Sequence, residues 1–391
     1  MTTIMHGFPP SEADQATLAN WRSRPHSAWA LHHVREIVPS ADIANDPDNR
    51  WVVDTGEATF NTGMIEPAMG QTDADAVVVM HRGKRVFESY RNGMDAHSPH
   101  ILFSVSKSML GLLAGSLVAS GDLNVDALIT DYIPELGDTI YKGATVRNAL
   151  DMRVGVLFDE DYLATEGPII DYRYAANWNP LPVGVEAGDL RSFMHKLVEA
   201  DGQHGQRFHY VSPNTDLLAW VFERATGQRY ADLFADRIWK PLGAERPGYI
   251  TVDRIGGVRA AGGMCLTARD LALLGQLLVQ GGAREGVQIL PESWIADIET
   301  AGDKQAWDTG DFAEKMPHLD MHYRSKWYVH RGETPLIHGL GIHGQYVFVD
   351  RARELSVSWF SSGHDPLGET QTRDVLQTIF ALRAAIDEAT T

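Results

Sequence analysis

The sequence predicts an α+β fold, in which one sheet is built from both ends of the chain and a mainly helical segment is inserted between them. Two hairpin patterns and the helical periodicity that separates them carry this expectation. From Ala76 the chain reads AVVVM, HRGK and RVFESY, two strand-like runs around Arg82-Gly83, a pair suited to a tight turn. Near the other end QYVFVD and LSVSWF flank the charged turn Arg351-Ala352-Arg353. Such runs of β-branched and aromatic residues suit strands buried on at least one face. A sheet lobe of residues 1–102 and 265–391 and a helical lobe of 103–264 follow, with a site expected between them.

The first 70 residues space Trp21, Trp29 and Trp51 through polar, proline-bearing sequence and read as an arm that wraps the body. From Ser104 to Ser120 the apolar residues Met109, Leu110, Leu113, Leu117 and Val118 fall on one buried helix face. Pro168 to Gly188 is rich in Pro, Gly, Asn and Tyr and predicts a long loop, a usual place for a lid or binding element. TDLLAWVFERATG predicts a helix capped by Asn214 or Thr215, with Leu218, Val221 and Phe222 inward and a stop at Gly227. Thr267-Ala268-Arg269-Asp270 has the form of a capping box, with Asp in the Glu place. It opens the helix DLALLGQLLVQ, which ends at Gly281-Gly282.

A chain of 391 residues can bury a large core in two lobes. No run approaches the roughly 18 apolar residues of a membrane span. The opening MTTIMHGFPPSEADQ has neither the basic region nor the apolar block of a secretory signal. Cys265 is the single cysteine, so no intrachain disulfide can form, and a cytoplasmic location is expected. A net charge of -18 disfavours nucleic acid and anionic membranes as partners. It would draw cations, although an acidic surface is the ordinary means of solvation. A homodimer is one assembly open to such a chain.

Ser104-Val105-Ser106-Lys107 holds the only serine followed by lysine three positions on. It is either the polar start of a buried helix or a nucleophile beside its base. Positions i and i+3 share a helix face, and the N–H of a residue at a helix start is free to meet an anion. A serine hydroxyl needs a base near neutral pH. No G-x-S-x-G signature is present, which leaves a desolvated lysine, or a tyrosine whose pKa nearby positive charge lowers. Tyr210, in HYVSPNTDLL, is the candidate tyrosine, or else a buried anchor for the helix that follows. In HGLGIHGQYVFVD the glycines 339, 341 and 344 would let a strand edge approach a site closely. His338 and His343 lack any metal-ligand spacing, so neither a metal nor another cofactor is expected.

With these pieces in order, the sequence resembles the serine hydrolases of the penicillin-binding-protein and class C β-lactamase superfamily. It looks most like their 6-aminohexanoate-dimer (nylon-oligomer) hydrolase and family VIII carboxylesterase branch. The matching strings are PHSAWALHHVREIVPS, SVSKS, DEDY, HYVSPNTDLLAW, GGMCLTARDLA and GIHGQ, spread over nearly the whole chain. The resemblance implies a β-lactamase-like antiparallel sheet flanked by helices, with the all-helical lobe inserted. It implies Ser104 as the acylated nucleophile, Lys107 as its charge-tuning partner, and Tyr210 as base in acylation and acid toward the leaving group. The N–H groups of Ser104 and Ile342 would form the oxyanion hole, past the Gly339-Leu340-Gly341 counterpart of K-T-G. Tyr162 would contact the leaving group, and Trp178 would ride on a mobile loop over the pocket. Arg173, Ser212, Asn214, Ala261 and His343 complete the expected substrate-binding set. Gly339 replaces the lysine of penicillin-processing relatives, and Ala261 stands where the dimer hydrolases carry polar side chains. The expected activity is hydrolysis of small carboxylic esters and of short linear amides such as 6-aminohexanoate dimer. A β-lactamase or D-Ala-D-Ala peptidase of the same fold and a non-catalytic binding module are the competing readings.

Overall fold

In the computed structural model, which describes residues 3–313 and 319–390, alternation along the strands decides which core each side chain enters. In chain order the strands are β1 (Ser40–Ile43), β2 (Ala74–His81), β3 (Lys84–Tyr90), β4 (Pro99–Ile101), β5 (Gly248–Thr251) and β6 (Met264–Thr267). The short pair β7 (Ala283–Arg284) and β8 (Val287–Gln288) follows. Then come β9 (Met321–Arg324), β10 (Trp327–His330), β11 (Leu336–Gly341), β12 (Gln345–Asp350) and β13 (Leu355–Ser361). The main sheet is antiparallel, in the order β3-β2-β13-β12-β11-β10-β9. Val77 and Val79 of β2 join Val357 and Trp359 of β13 against the helices Ile65–Gln71 and Glu369–Thr390. Ala76, Val78 and Met80 point to the other face and the larger core.

Both expected hairpins form. Arg82 and Gly83 have φ of 50° and 76°, the left-handed values that a two-residue hairpin turn requires. Strands β2 and β13 pair directly, Val78 opposite Ser358, so distant parts of the chain meet inside the sheet.

A second sheet, β1-β5-β6-β4, differs from expectation. Strand β5 lies inside the segment 103–264, and β6 straddles its boundary, so that segment is not purely helical. The arm supplies β1, with Ala41 opposite Ile250. These strands are three or four residues long, too short for alternation to announce.

Helix Val105–Ser120 is buried along most of its length and stops at Gly121, with φ of 79°. Helix Pro213–Thr226 ends at Gly227 as expected, but opens on Pro213 after Ser212 rather than on an Asn or Thr cap. At Thr267 the hydroxyl oxygen accepts the N–H of Asp270 at 3.1 Å. The Asp270 carboxylate turns instead to the N–H of Glu245 at 2.6 Å, so the box is only half closed. Residues Pro168–Ala175, expected as loop, are helical. Proline fits the first turn of a helix, and Ile169, Ile170, Tyr172 and Ala175 bury one side of it. Among the described residues no helix is long and apolar enough to cross a membrane.

Candidate active site

Strand β4 delivers the chain to the nucleophile through one strained residue. Phe103 has φ of 42°, a left-handed value that costs a non-glycine residue about 1–3 kcal/mol. Its ring packs in one cluster with Trp21, at 6.3 Å, and Trp178, at 6.0 Å, which holds that conformation. Ser104 then stands at the head of helix Val105–Ser120. The helix is pinned to β6, because Ser106 Oγ accepts the N–H of Met264 at 3.1 Å.

One helical turn on, Lys107 is 1% exposed. Its Nζ lies 2.8 Å from Ser104 Oγ and donates to the Ala261 carbonyl at 2.7 Å. Burial brings its ammonium down to about 7, with the charge of Arg259 adding to the fall and Glu160 and Asp216 opposing it. The same Nζ sits 4.9 Å from the centre of the Tyr210 ring. At Tyr210 the lowering that nearby positive charge brings is outweighed. Burial first, and then the charge of Glu160, push its phenol well above the ordinary value. The hydroxyls of Ser104 and Tyr328 and the charge of Arg259 pull it down, but do not prevail. At neutral pH the lysine can accept a proton and the tyrosine can give one.

The glycines of β11 allow the strand to meet the nucleophile helix. A Cβ on Gly341 would lie 2.5 Å from the Leu102 carbonyl oxygen and 3.0 Å from the Ser104 nitrogen. One on Gly339 would lie 2.9 Å from Ser108 Oγ, so the place where penicillin-processing relatives are expected to carry lysine is tightly packed in this chain. Ile342 begins the turn into β12 beside Ser104 and lines the same recess. Among the described residues neither the Ser104 nor the Ile342 N–H has a protein acceptor. Two free donors next to the hydroxyl are what a carbonyl oxygen gaining negative charge would need.

Tyr162, Arg173, Trp178, Ser212 and Ala261 line the recess around Ser104, as expected. Asn214 and His343 do not. Asn214, two residues after Ser212 on a helix, faces elsewhere and accepts a hydrogen bond from the Tyr141 hydroxyl at 3.2 Å. His343 has φ of 61° in the turn, which swings its ring behind Phe103 with Nδ1 2.8 Å from the Gly363 carbonyl oxygen. Trp178 is a wall rather than a lid. It is 4% exposed, its indole N–H donates to Thr251 Oγ1 at 3.1 Å, and its carbonyl accepts the indole N–H of Trp21 at 3.3 Å.

Several residues of the site carry no local sequence signal. Glu160 accepts the Ser212 N–H at 2.5 Å, the Ser212 hydroxyl, and the Tyr162 hydroxyl at 2.7 Å, tying the DEDY segment to the YVSPN loop. Asp216 pairs with Arg259 at 2.6 Å and accepts the Ala261 N–H at 2.7 Å, so it fixes the very residue whose carbonyl holds Lys107. Asp311 accepts the Tyr210 N–H at 2.8 Å and an Arg207 guanidinium N–H at 2.6 Å, and His209 Nδ1 lies 2.7 Å from it. Arg22 reaches the recess from the N-terminal arm. Each joins segments tens to hundreds of residues apart, which only an unusual composition could have hinted at. Among the described residues no group of His, Cys, Asp and Glu is arranged to hold a metal.

The chain as a whole is similar to known hydrolases. A 6-aminohexanoate-dimer hydrolase of Paenarthrobacter ureafaciens is 32% identical over 362 residues, covering 92% of this chain and 91% of that protein. A solved structure from Bacillus anthracis, provisionally named a 6-aminohexanoate-dimer hydrolase, superposes with a TM-score of 0.86 at 25% identity. That superposition covers 97% of this chain and 99% of the other. A family VIII carboxylesterase shares the fold at a TM-score of 0.60 and 16% identity, over 85% of this chain and all of its own. The profile of the family described as Beta-lactamase matches residues 61–381, and the chain belongs to that family.

Proposed function

We propose that the protein hydrolyses small carboxylic esters, and more slowly short linear amides such as 6-aminohexanoate dimer, through an acyl-enzyme on Ser104. One observation carries this reading: Lys107 Nζ, brought down to about 7, lies 2.8 Å from Ser104 Oγ. A neutral amine there takes the hydroxyl proton as Oγ bonds to the substrate carbonyl carbon. The N–H groups of Ser104 and Ile342 receive the negative oxygen of the tetrahedral intermediate. Tyr210, which keeps its proton, gives it to the departing oxygen or nitrogen as that bond breaks, and Lys107 returns a proton to the phenolate. Water then attacks the acyl group along the reverse path and frees Ser104. The division of labour thus runs from Lys107 as base to Tyr210 as acid.

Similarity to a 6-aminohexanoate-dimer hydrolase supports the amide part. Gly339 and the tight packing around it count against a penicillin carboxylate held as in lysine-bearing relatives. Mass spectrometry after exposure to a fluorophosphonate tests the reading. A single adduct at Ser104 is expected, absent in Ser104→Ala, with hydrolysis of p-nitrophenyl butyrate down at least ~10³-fold in that variant. An adduct at another serine, or undiminished turnover, would overturn it.

A further inference from the structure

The recess beside Ser104 is small, about 30 Å³, and its charge is unusual. Three guanidinium groups line it: Arg22 from the N-terminal arm, Arg173 from helix Pro168–Ala175, and Arg259. Arg259 is matched by Asp216 at 2.6 Å. The other two are not matched. Arg22 gives one N–H to the neutral side chain of Asn179 at 2.5 Å, and Arg173 gives one to the Tyr162 carbonyl at 2.9 Å. Among the described residues no carboxylate lies within ion-pair distance of either. A guanidinium carries five N–H donors, so most of theirs remain unspent.

The carboxylates nearby are otherwise engaged. Glu160 is committed to Ser212 and Tyr162, and Asp161 accepts the N–H of Leu163 at 2.8 Å while acting on Arg173 from the exposed side. Arg22 stands 5.5 Å from the Trp21 ring and 5.8 Å from that of Trp178, and Arg259 stands 4.8 Å from Trp178. Stacking on the indoles orients these cations but leaves their donors free. Burial, and then the charges of Arg173 and Arg259, bring Arg22 down to about 9. Three guanidinium groups against the carboxylates of Asp216 and Glu160 leave an excess of positive charge, which raises the energy of the empty protein and which a bound anion lowers.

Geometry also says which part of a substrate goes there. Tyr210, the proton donor to the leaving group, lines a second and larger cavity of about 770 Å³, together with Leu340, Leu367 and Phe380. Ser104 lines the cationic recess, Glu160 and Tyr162 line both cavities, and the larger cavity meets the nucleophile through Tyr210. Building on the acyl-enzyme at Ser104, we propose that the arginine recess receives a carboxylate on the acyl part of the substrate. The enzyme then acts on half-esters or monoamides of short dicarboxylic acids, with the leaving group in the apolar cavity. An acyl chain ending in an ammonium, as in 6-aminohexanoate dimer, meets more cations than carboxylates there and is disfavoured.

The test compares kcat/KM for three benzyl esters of similar length: the half-ester of glutaric acid, benzyl pentanoate and benzyl 5-aminopentanoate. The expected order is glutarate, pentanoate, aminopentanoate, with glutarate ahead of pentanoate by about tenfold or more, the size of one charge-assisted contact. Arg22→Gln and Arg173→Gln should each cut the glutarate-to-pentanoate ratio by about tenfold, whereas a purely structural role would leave that ratio alone. Calorimetric titration of Ser104→Ala protein with benzyl hydrogen glutarate reads the recess without chemistry. Binding that weakens in either arginine variant is expected. Equal kcat/KM for the glutarate and pentanoate esters, or titration without preference for the anion, would overturn the proposal while leaving Ser104 as nucleophile. Hydrolysis persisting in Ser104→Ala would overturn the acyl-enzyme, and the titration would still decide the role of the arginines.

Discussion

Replacing Gly341 with alanine tests whether the close approach of β11 to the nucleophile aims the two N–H donors. The new Cβ would lie 2.5 Å from the Leu102 carbonyl oxygen and 3.0 Å from the Ser104 nitrogen, whereas ordinary contact begins near 3.4 Å. Both neighbours are backbone, so no rotamer change can relieve the overlap. Strand and helix start must part by about 1 Å, and a misplacement of that size costs on the order of 10²-fold in rate. The loss should fall on kcat rather than KM, because the donors matter most when the carbonyl oxygen carries charge. Overpacking should also lower stability by about 1–3 kcal/mol. The assay is hydrolysis of p-nitrophenyl butyrate, with circular dichroism to verify the fold. Gly188→Ala is the control, since its Cβ would meet Ser192 Oγ at an ordinary 3.6 Å. A folded Gly341→Ala protein with full kcat would refute the reasoning.

The remaining predictions concern the base and its support. Because Lys107 must be neutral to accept a proton and is brought down to about 7, kcat/KM on an uncharged ester should climb with pH up to about 7 and level off above it. A profile flat from pH 5.5 to 8.5 would remove Lys107 from that role. Asp216→Asn strips the buried Arg259 of its partner and should cost about 3–5 kcal/mol in chemical denaturation. It should also shift the pH profile, since Asp216 fixes Ala261 and Ala261 holds Lys107. An unchanged profile in the folded variant would confine Asp216 to stability.

What the sequence disclosed was local. The turn at Arg82-Gly83, the helix after Ser104 and its lysine three places on, and the stop at Gly227 each rest on a few adjacent residues with one physical reason. Tyr210 and the glycines of β11 took on meaning through family resemblance, because neither is unusual where it stands. The helix Pro168–Ala175 was hidden by its composition, since proline and glycine signal a loop unless the buried side formed by Ile169, Ile170 and Tyr172 is known. Arg22, Glu160 and Asp216 were invisible for another reason. Their partners, Asn179, Ser212 and Arg259, are brought near only by the finished fold. The protonation roles of Lys107 and Tyr210 depend in the same way on how deeply each is buried, which no spacing reveals.

The pairing of β2 with β13 has a consequence for how the molecule comes into being. Val78 meets Ser358 inside the main sheet, and β2 until then has only the edge strand β3 beside it. On the ribosome the β2–β3 hairpin emerges early and must wait, edge unpaired, while the helical segment and the rest of the sheet are made. Contacts this distant close late and slowly, and an apolar edge left open invites pairing with another chain. Refolding yield should therefore fall as protein concentration rises, and synthesis in a cell should lean on chaperones until β13 arrives.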